Sequence, residues 1–204
     1  MATIPLNQFG VIKKLYTKNR LGIPEISKIT GFSVNSLYYF MRRNKISRRS
    51  FLEEQMRRFE KKKPSFTINK KADKELRVIG TMLYWAEGYK GNERLPAKML
   101  DFANSDPHMI SLFLLFLRDS FFIDEKRLRA FVYCYSNQDT RKIIHFWSKL
   151  TKIPLKQFTK PYVRKDFRKK ANIMPNGLVH IRYSEKKLLL EIKNMIDYYV
   201  RKYA

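Results

Sequence analysis

The sequence predicts an α+β protein, a mixed sheet backed by helices, preceded by a small all-α domain. Three observations predict it. The first 50 residues carry apolar side chains at helical spacing, punctuated by glycines. Three later stretches, FANSDPHMISLFLLFL, CYSNQDTRKIIHFW and IRYSEKKLLLEIKNMI, each read as strand, Ser-containing polar cap, then amphipathic helix. Between these regions lies LRVIGTMLYWAEGYK, residues 76–90, a helical run apolar on both faces with no charged residue from Val78 to Ala86. The boundaries fall at 1–50 for the all-α domain, 51–71 for a basic linker and 72–204 for the α+β domain.

In the first domain a helix is expected over 6–19, with Phe9, Ile12, Leu15 and Tyr16 on its inner face and Gly22 closing it. Pro24 suits the first turn of a second helix, and Glu25 sits near the positive end of its dipole. Ile26 and Ile29 are its expected inner residues, and Gly31 allows a tight turn. Ser33 then caps a third helix carrying Val34, Leu37, Phe40 and Met41.

A short helix, a glycine turn and a capped amphipathic helix ending in Arg-Arg form a helix-turn-helix pattern. It resembles the resolvase-type and repressor-type helix-turn-helix. Ile26, Gly31, Phe32, Leu37 and Phe40 take the usual slots, and Ser27 departs from the small apolar residue common there. The resemblance implies that the third helix enters the major groove of double-stranded DNA. Ser33, Asn35, Ser36 and Tyr39 would face bases or nearby backbone. Arg42, Arg43, Lys45, Arg48 and Arg49 cluster at its exit and suit phosphates. The alternative is a plain three-helix packing unit with a solvated basic end.

Composition bounds the partner. The 43 Lys and Arg against 18 Asp and Glu give a net charge of +25 and a pI of about 10.2. Such a balance points to a polyanion, nucleic acid before membrane. Fifteen Phe, 12 Tyr and two Trp imply a real core, which tail-like basic proteins lack. A lone cysteine, Cys134, excludes a disulfide framework and a Cys-rich zinc site. No apolar run follows the first Met, so a cytoplasmic, nucleoid-associated protein is the expectation. The linker holds Lys61-Lys62-Lys63-Pro64, which breaks a helix begun around Phe51, Met56 and Phe59. Through Lys70 there are 16 basic and four acidic residues, so about half of the excess charge lies in the first third.

In the larger domain, strands are expected over 98–103, 127–135, 158–163 and 178–183. Helices are expected over 108–121, 140–150 and 186–203. Leu128, Ala130, Val132 and Cys134 alternate with Arg129, Phe131, Tyr133 and Tyr135, the period of a strand with one buried face. Lys160, Arg164, Lys165 and Arg168, mixed with Tyr162 and Phe167, suit a loop along a DNA backbone or an ordinary solvated loop.

The nine residues Gly80-Thr81-Met82-Leu83-Tyr84-Trp85-Ala86-Glu87-Gly88 resemble the LAGLIDADG helix of homing endonucleases and their relatives. The small-acidic-Gly ending matches. Trp85 and Met82 depart from the acidic or small residue and the close-packing Gly usual there. In that family two such helices pack together, and each delivers an acid to the floor of a DNA-binding saddle. The resemblance implies that Glu87 is catalytic and holds a divalent metal beside the Gly88 backbone. With one copy of the motif, it implies a homodimer through residues 76–88. Added features, a helix near 140–150 and a weak first strand, depart from the family order of helix, two strands, helix, two strands, helix.

Other chemistries lack support. His108, His145 and His180 stand alone, with no zinc-ligand spacing. There is no Walker-type loop. Two functions remain: a homodimeric Mg²⁺-dependent DNA endonuclease, or a non-cleaving transcriptional regulator that joins the same two modules. Both are site-specific double-stranded DNA-binding proteins.

Overall fold

Two separate hydrophobic clusters organise the chain, one in each of two units, Met1–Lys63 and Pro64–Ala204. The computed structural model describes residues 4–92, 94, 96–165 and 174–204.

The first unit holds a 3-10 turn, Leu6–Gln8, then α1 (Phe9–Thr17), α2 (Ile23–Thr30), α3 (Val34–Arg43) and α4 (Phe51–Lys61). Ile12, Tyr16, Ile23, Ile26, Leu37, Phe40, Met41 and Ile46 fill its core. Ile29 is 62% exposed, because α2 packs along Ile23 and Ile26 instead. Gly22 does not close α1, which ends at Thr17, but caps the start of α2, where its N–H donates to Glu25 Oε2 at 2.5 Å. Gly31 stops α2 at φ +77°, a left-handed conformation that favours glycine. Ser33 accepts the N–H of Ser36 at 3.1 Å and opens α3.

The first half of the expected linker belongs to this unit. A reciprocal cap between Ser50 and Glu53 starts α4. Buried Arg57 ties it inward, donating to Glu54 and Glu25, each at 2.7 Å. The second half belongs to the other unit. Thr67 and Asn69 donate backbone N–H groups to the carbonyls of Phe121 and Ser120, and the Tyr183 hydroxyl donates to Ser65 O at 2.7 Å.

The second unit is α+β. It runs α5 (Lys74–Glu87), β1 (Leu100–Asn104), α6 (Pro107–Phe121), β2 (Leu128–Tyr135), α7 (Thr140–Thr151), β3 (Tyr162–Arg164), β4 (Leu178–Tyr183) and α8 (Lys186–Tyr203). The described strands form one sheet in the order β1-β4-β2-β3. β4 is antiparallel to β1 and β2, and β3 is parallel to β2. Alternate residues, among them Leu100, Phe102, Ala130, Val132 and Ile181, turn to one face and share a core with α5, α6, α7 and α8. The other face is left open, its side chains half-buried or exposed. β3 is shorter and later than expected: Phe158 makes only a bridge to Ala130, and Pro161, which has no N–H, interrupts the ladder. No described helix is long and apolar enough to cross a membrane.

The helix over 74–87 is not buried on both faces. Gly80, Thr81 and Tyr84 are buried, while Val78, Ile79 and Trp85 are 39%, 43% and 45% exposed. Its inner side closes tightly on α6, since a Cβ on Gly80 would sit 2.0 Å from Phe116 Cγ.

Candidate nucleic-acid interface

α3 turns Leu37, Phe40 and Met41 into the core, which leaves Asn35, Tyr38, Tyr39, Arg42 and Arg43 outside and Ser36 half-buried. Helical spacing places Asn35, Tyr39 and Arg42 along one outer face. The Arg42 guanidinium lies 5.7 Å from the Tyr39 ring centre, and that of Arg48 lies 5.0 Å from Tyr38. Together with Lys45 and Ser47 these side chains line a shallow groove at the exit of α3. The structure therefore brings Asn35, Tyr39, Arg42, Lys45 and Arg48 together as expected. It adds Tyr38 and Ser47, of which the sequence signal was Tyr38's position one turn beyond Asn35. Ser33 is exposed but its hydroxyl serves the helix cap and pairs with Ser36 Oγ at 2.8 Å.

Arg49 differs from its basic neighbours. Its guanidinium donates to Tyr16 O at 2.9 Å, to Glu54 at 3.2 Å and to Leu21 O, and it sits 3.9 Å from the Tyr16 ring centre. It is a tie inside the unit rather than an outward phosphate contact. Ser27, the departure from the usual pattern, donates its hydroxyl to Phe32 O at 2.7 Å and so staples the turn between α2 and α3.

Glu87 ends α5 and is exposed. Gly88 follows in an extended conformation, φ −74°, not the left-handed one expected of a helix-stopping glycine. Close approach requires it: a Cβ there would sit 2.4 Å from the Tyr84 ring. Gly88 bridges Phe102, and the Tyr89 N–H donates to Asp101 O at 2.8 Å, so the tip of α5 feeds the edge of the sheet beside β1. Among the described residues no three His, Cys, Asp or Glu gather as a metal site. Glu87 and the Gly88 backbone are therefore one acid-bearing corner per chain.

The resemblance implies a DNA-binding saddle, but the sequence does not show which side chains of β1, β2 and β4 line the open sheet face, although the alternation of β2 is legible. Register places Asp101, Arg182 and Arg129 in one row, then Ala103, His180 and Phe131, then Leu178, Tyr133 and Tyr162. Asp101 pairs with His180 Nδ1 and accepts from Arg182 Nε, each at 2.8 Å. Burial pushes the Asp101 carboxyl up, but the hydrogen bonds and charges of His180 and Arg182 outweigh it and hold the carboxyl below its ordinary value. The Arg182 guanidinium lies 5.0 Å from the Phe131 ring centre. Tyr133 stacks on Tyr162 at 5.1 Å between ring centres. Lys160, Arg164 and Lys165 are exposed at this end, with Arg164 Nη1 donating to the Tyr133 hydroxyl at 3.4 Å, and Arg168 lies outside the described residues.

No family model, curated protein or solved structure matches this chain.

Proposed function

We propose that this protein is a site-specific double-stranded DNA-binding protein that reads duplex with α3 and lays the open sheet face of its second unit against nucleic acid. The observation that carries the reading is α3 itself: a capped helix, apolar within, with Asn35, Tyr39 and Arg42 facing solvent in a strongly basic unit. Asn can read adenine edges, and the arginines at the exit suit phosphate.

The second unit supports a LAGLIDADG-like arrangement. A helix ending in Glu-Gly leads to the sheet edge, and strands and helices follow with all helices on one face. α7 is additional, and ahead of β1, where that family has a further strand, this chain has only the bridges at Gly88 and Gly91. The exposed side of α5 formed by Val78, Ile79 and Trp85 suits a second copy, which would bring two Glu87 carboxylates together. Two such acids can hold Mg²⁺ for phosphodiester hydrolysis, where the metal activates water and stabilises the leaving oxygen.

A second reading, a non-cleaving regulator, is favoured by one observation. The acid that the described strands carry, Asp101, is already engaged by His180 and Arg182. Selecting bound duplexes from a random pool and incubating the winner with Mg²⁺ separates the readings. Cleavage that disappears in Glu87→Gln while binding persists supports the endonuclease. Binding without cleavage supports the regulator, and selection of no duplex sequence overturns both.

A further inference from the structure

We propose that the open sheet face takes unpaired nucleic-acid bases rather than the groove of an intact duplex. The inference deepens the reading that this face contacts nucleic acid. Groove readers present hydrogen-bonding side chains to base edges. This face presents rings. Phe131, Tyr133 and Tyr135 point outward from β2, and Tyr162, 54% exposed, joins them from β3. The rings form two groups, Tyr162, Tyr133 and Tyr135 in one and Phe131 with His180 in the other. Tyr133 stacks on Tyr162 with 22° between planes, Tyr135 stands edge-on to Tyr133 at 6.4 Å, and His180 stands edge-on to Phe131 at 5.4 Å. Arg129, Arg164 and Arg182 lie among them.

A polar open face is the ordinary way to leave one side of an antiparallel sheet in water. Half-exposed aromatic rings interleaved with guanidinium groups instead match the chemistry of a stacked base and its phosphate. Base faces are inaccessible inside a duplex, so rings of this kind gain only from bases outside the stack. The occupant is a single-stranded segment, and the charge of the chain complements it. A base added to the Tyr133–Tyr162 pair extends an existing stack, while Arg164 and Lys165 meet the adjoining phosphates.

The test uses the full chain and fluorescence anisotropy with four probes: oligothymidylate, oligouridylate, an abasic strand of equal length and charge, and a duplex. Wild type is expected to bind oligothymidylate or oligouridylate about ten-fold or more tighter than the abasic strand. Comparing the first two probes distinguishes DNA from RNA as the source. Tyr162→Leu, at an exposed position in a three-residue edge strand, and Tyr133→Leu keep apolar bulk and remove the aromatic face. Each is expected to weaken single-strand binding about ten-fold while leaving duplex affinity within about two-fold. Equal affinity for the abasic strand overturns the proposal, as does single-strand binding unmoved in Tyr162→Leu. Loss of duplex binding alone counts against the α3 reading and leaves this one standing.

Discussion

Glu54 shows how much one side chain can organise. It accepts from Arg49, Arg57 and Arg58, and the Arg57 hydrogen bond, the largest influence, outweighs burial to bring its pKa down to about 2. A carboxylate depressed in the folded state contributes stability that is present above its ordinary value and lost as pH falls through the folded one. The window therefore runs from about 4.5 down to about 2. Thermal unfolding of the full chain is expected to lose midpoint across that window. Glu54→Gln starts lower at neutral pH and falls less on acidification. An identical acid profile in the variant removes Glu54 from the account. Arg49 and Arg57 were legible in the sequence only as two of many basic residues. Their inward roles depend on Tyr16, Leu21 and Glu25, all distant in sequence, and charge counting cannot sort a tie from a free cation.

At the scale of elements, the proposed reading gives α3 two separable contributions. Asn35→Ala is expected to relax sequence preference at about one position, costing about 1–3 kcal/mol against the preferred base. Arg42→Ala weakens binding to all sequences and lowers the salt slope by about one. Titrations at several salt concentrations on selected and scrambled duplexes check both. If neither variant changes binding, α3 is not the reading helix.

The same scale shows what the sequence could teach. The cap at Ser33, and the whole spans of β4 and α8, follow from local chemistry and periodicity, and they stand where expected. α5 did not follow. Its apolar residues lie on two faces, but only tertiary structure decides that Tyr84 is packed against Phe113 while Trp85 faces solvent. Gly80 was legible as a small residue in a motif. Its partner, the Phe116 ring, was not, because close approach between helices leaves no periodic trace. The aromatic lining of the open face was not legible, because tyrosine in a strand satisfies β-propensity as readily as it would mark a binding surface.

At the scale of the whole molecule, the exposed side of α5 sets the expected assembly. Val78, Ile79 and Trp85 make an apolar patch on a chain otherwise rich in charge, the kind of surface that marks an interaction site. Wild type is expected to sediment as a dimer, and Ile79→Lys as a folded monomer with unchanged circular dichroism. A monomeric wild type at micromolar concentration, with and without duplex, would exclude assembly through α5. If the proposed dimer forms, near-palindromic site choice and any cleavage are expected to depend on it, and Ile79→Lys is expected to abolish both while leaving α3 able to engage a half-site.

The border of the sheet at β3 has its own consequence. This strand is three residues long and, among the described residues, has a sheet neighbour on one side only. A bare border of that kind invites the same border of another copy to zip onto it. Here Lys160, Arg164 and Lys165 stand on or beside it, so two copies approaching rim to rim meet mutual repulsion. The cations proposed to attract a polyanion thus also insulate the protein from itself, and neutralising them is expected to invite aggregation before any loss of fold.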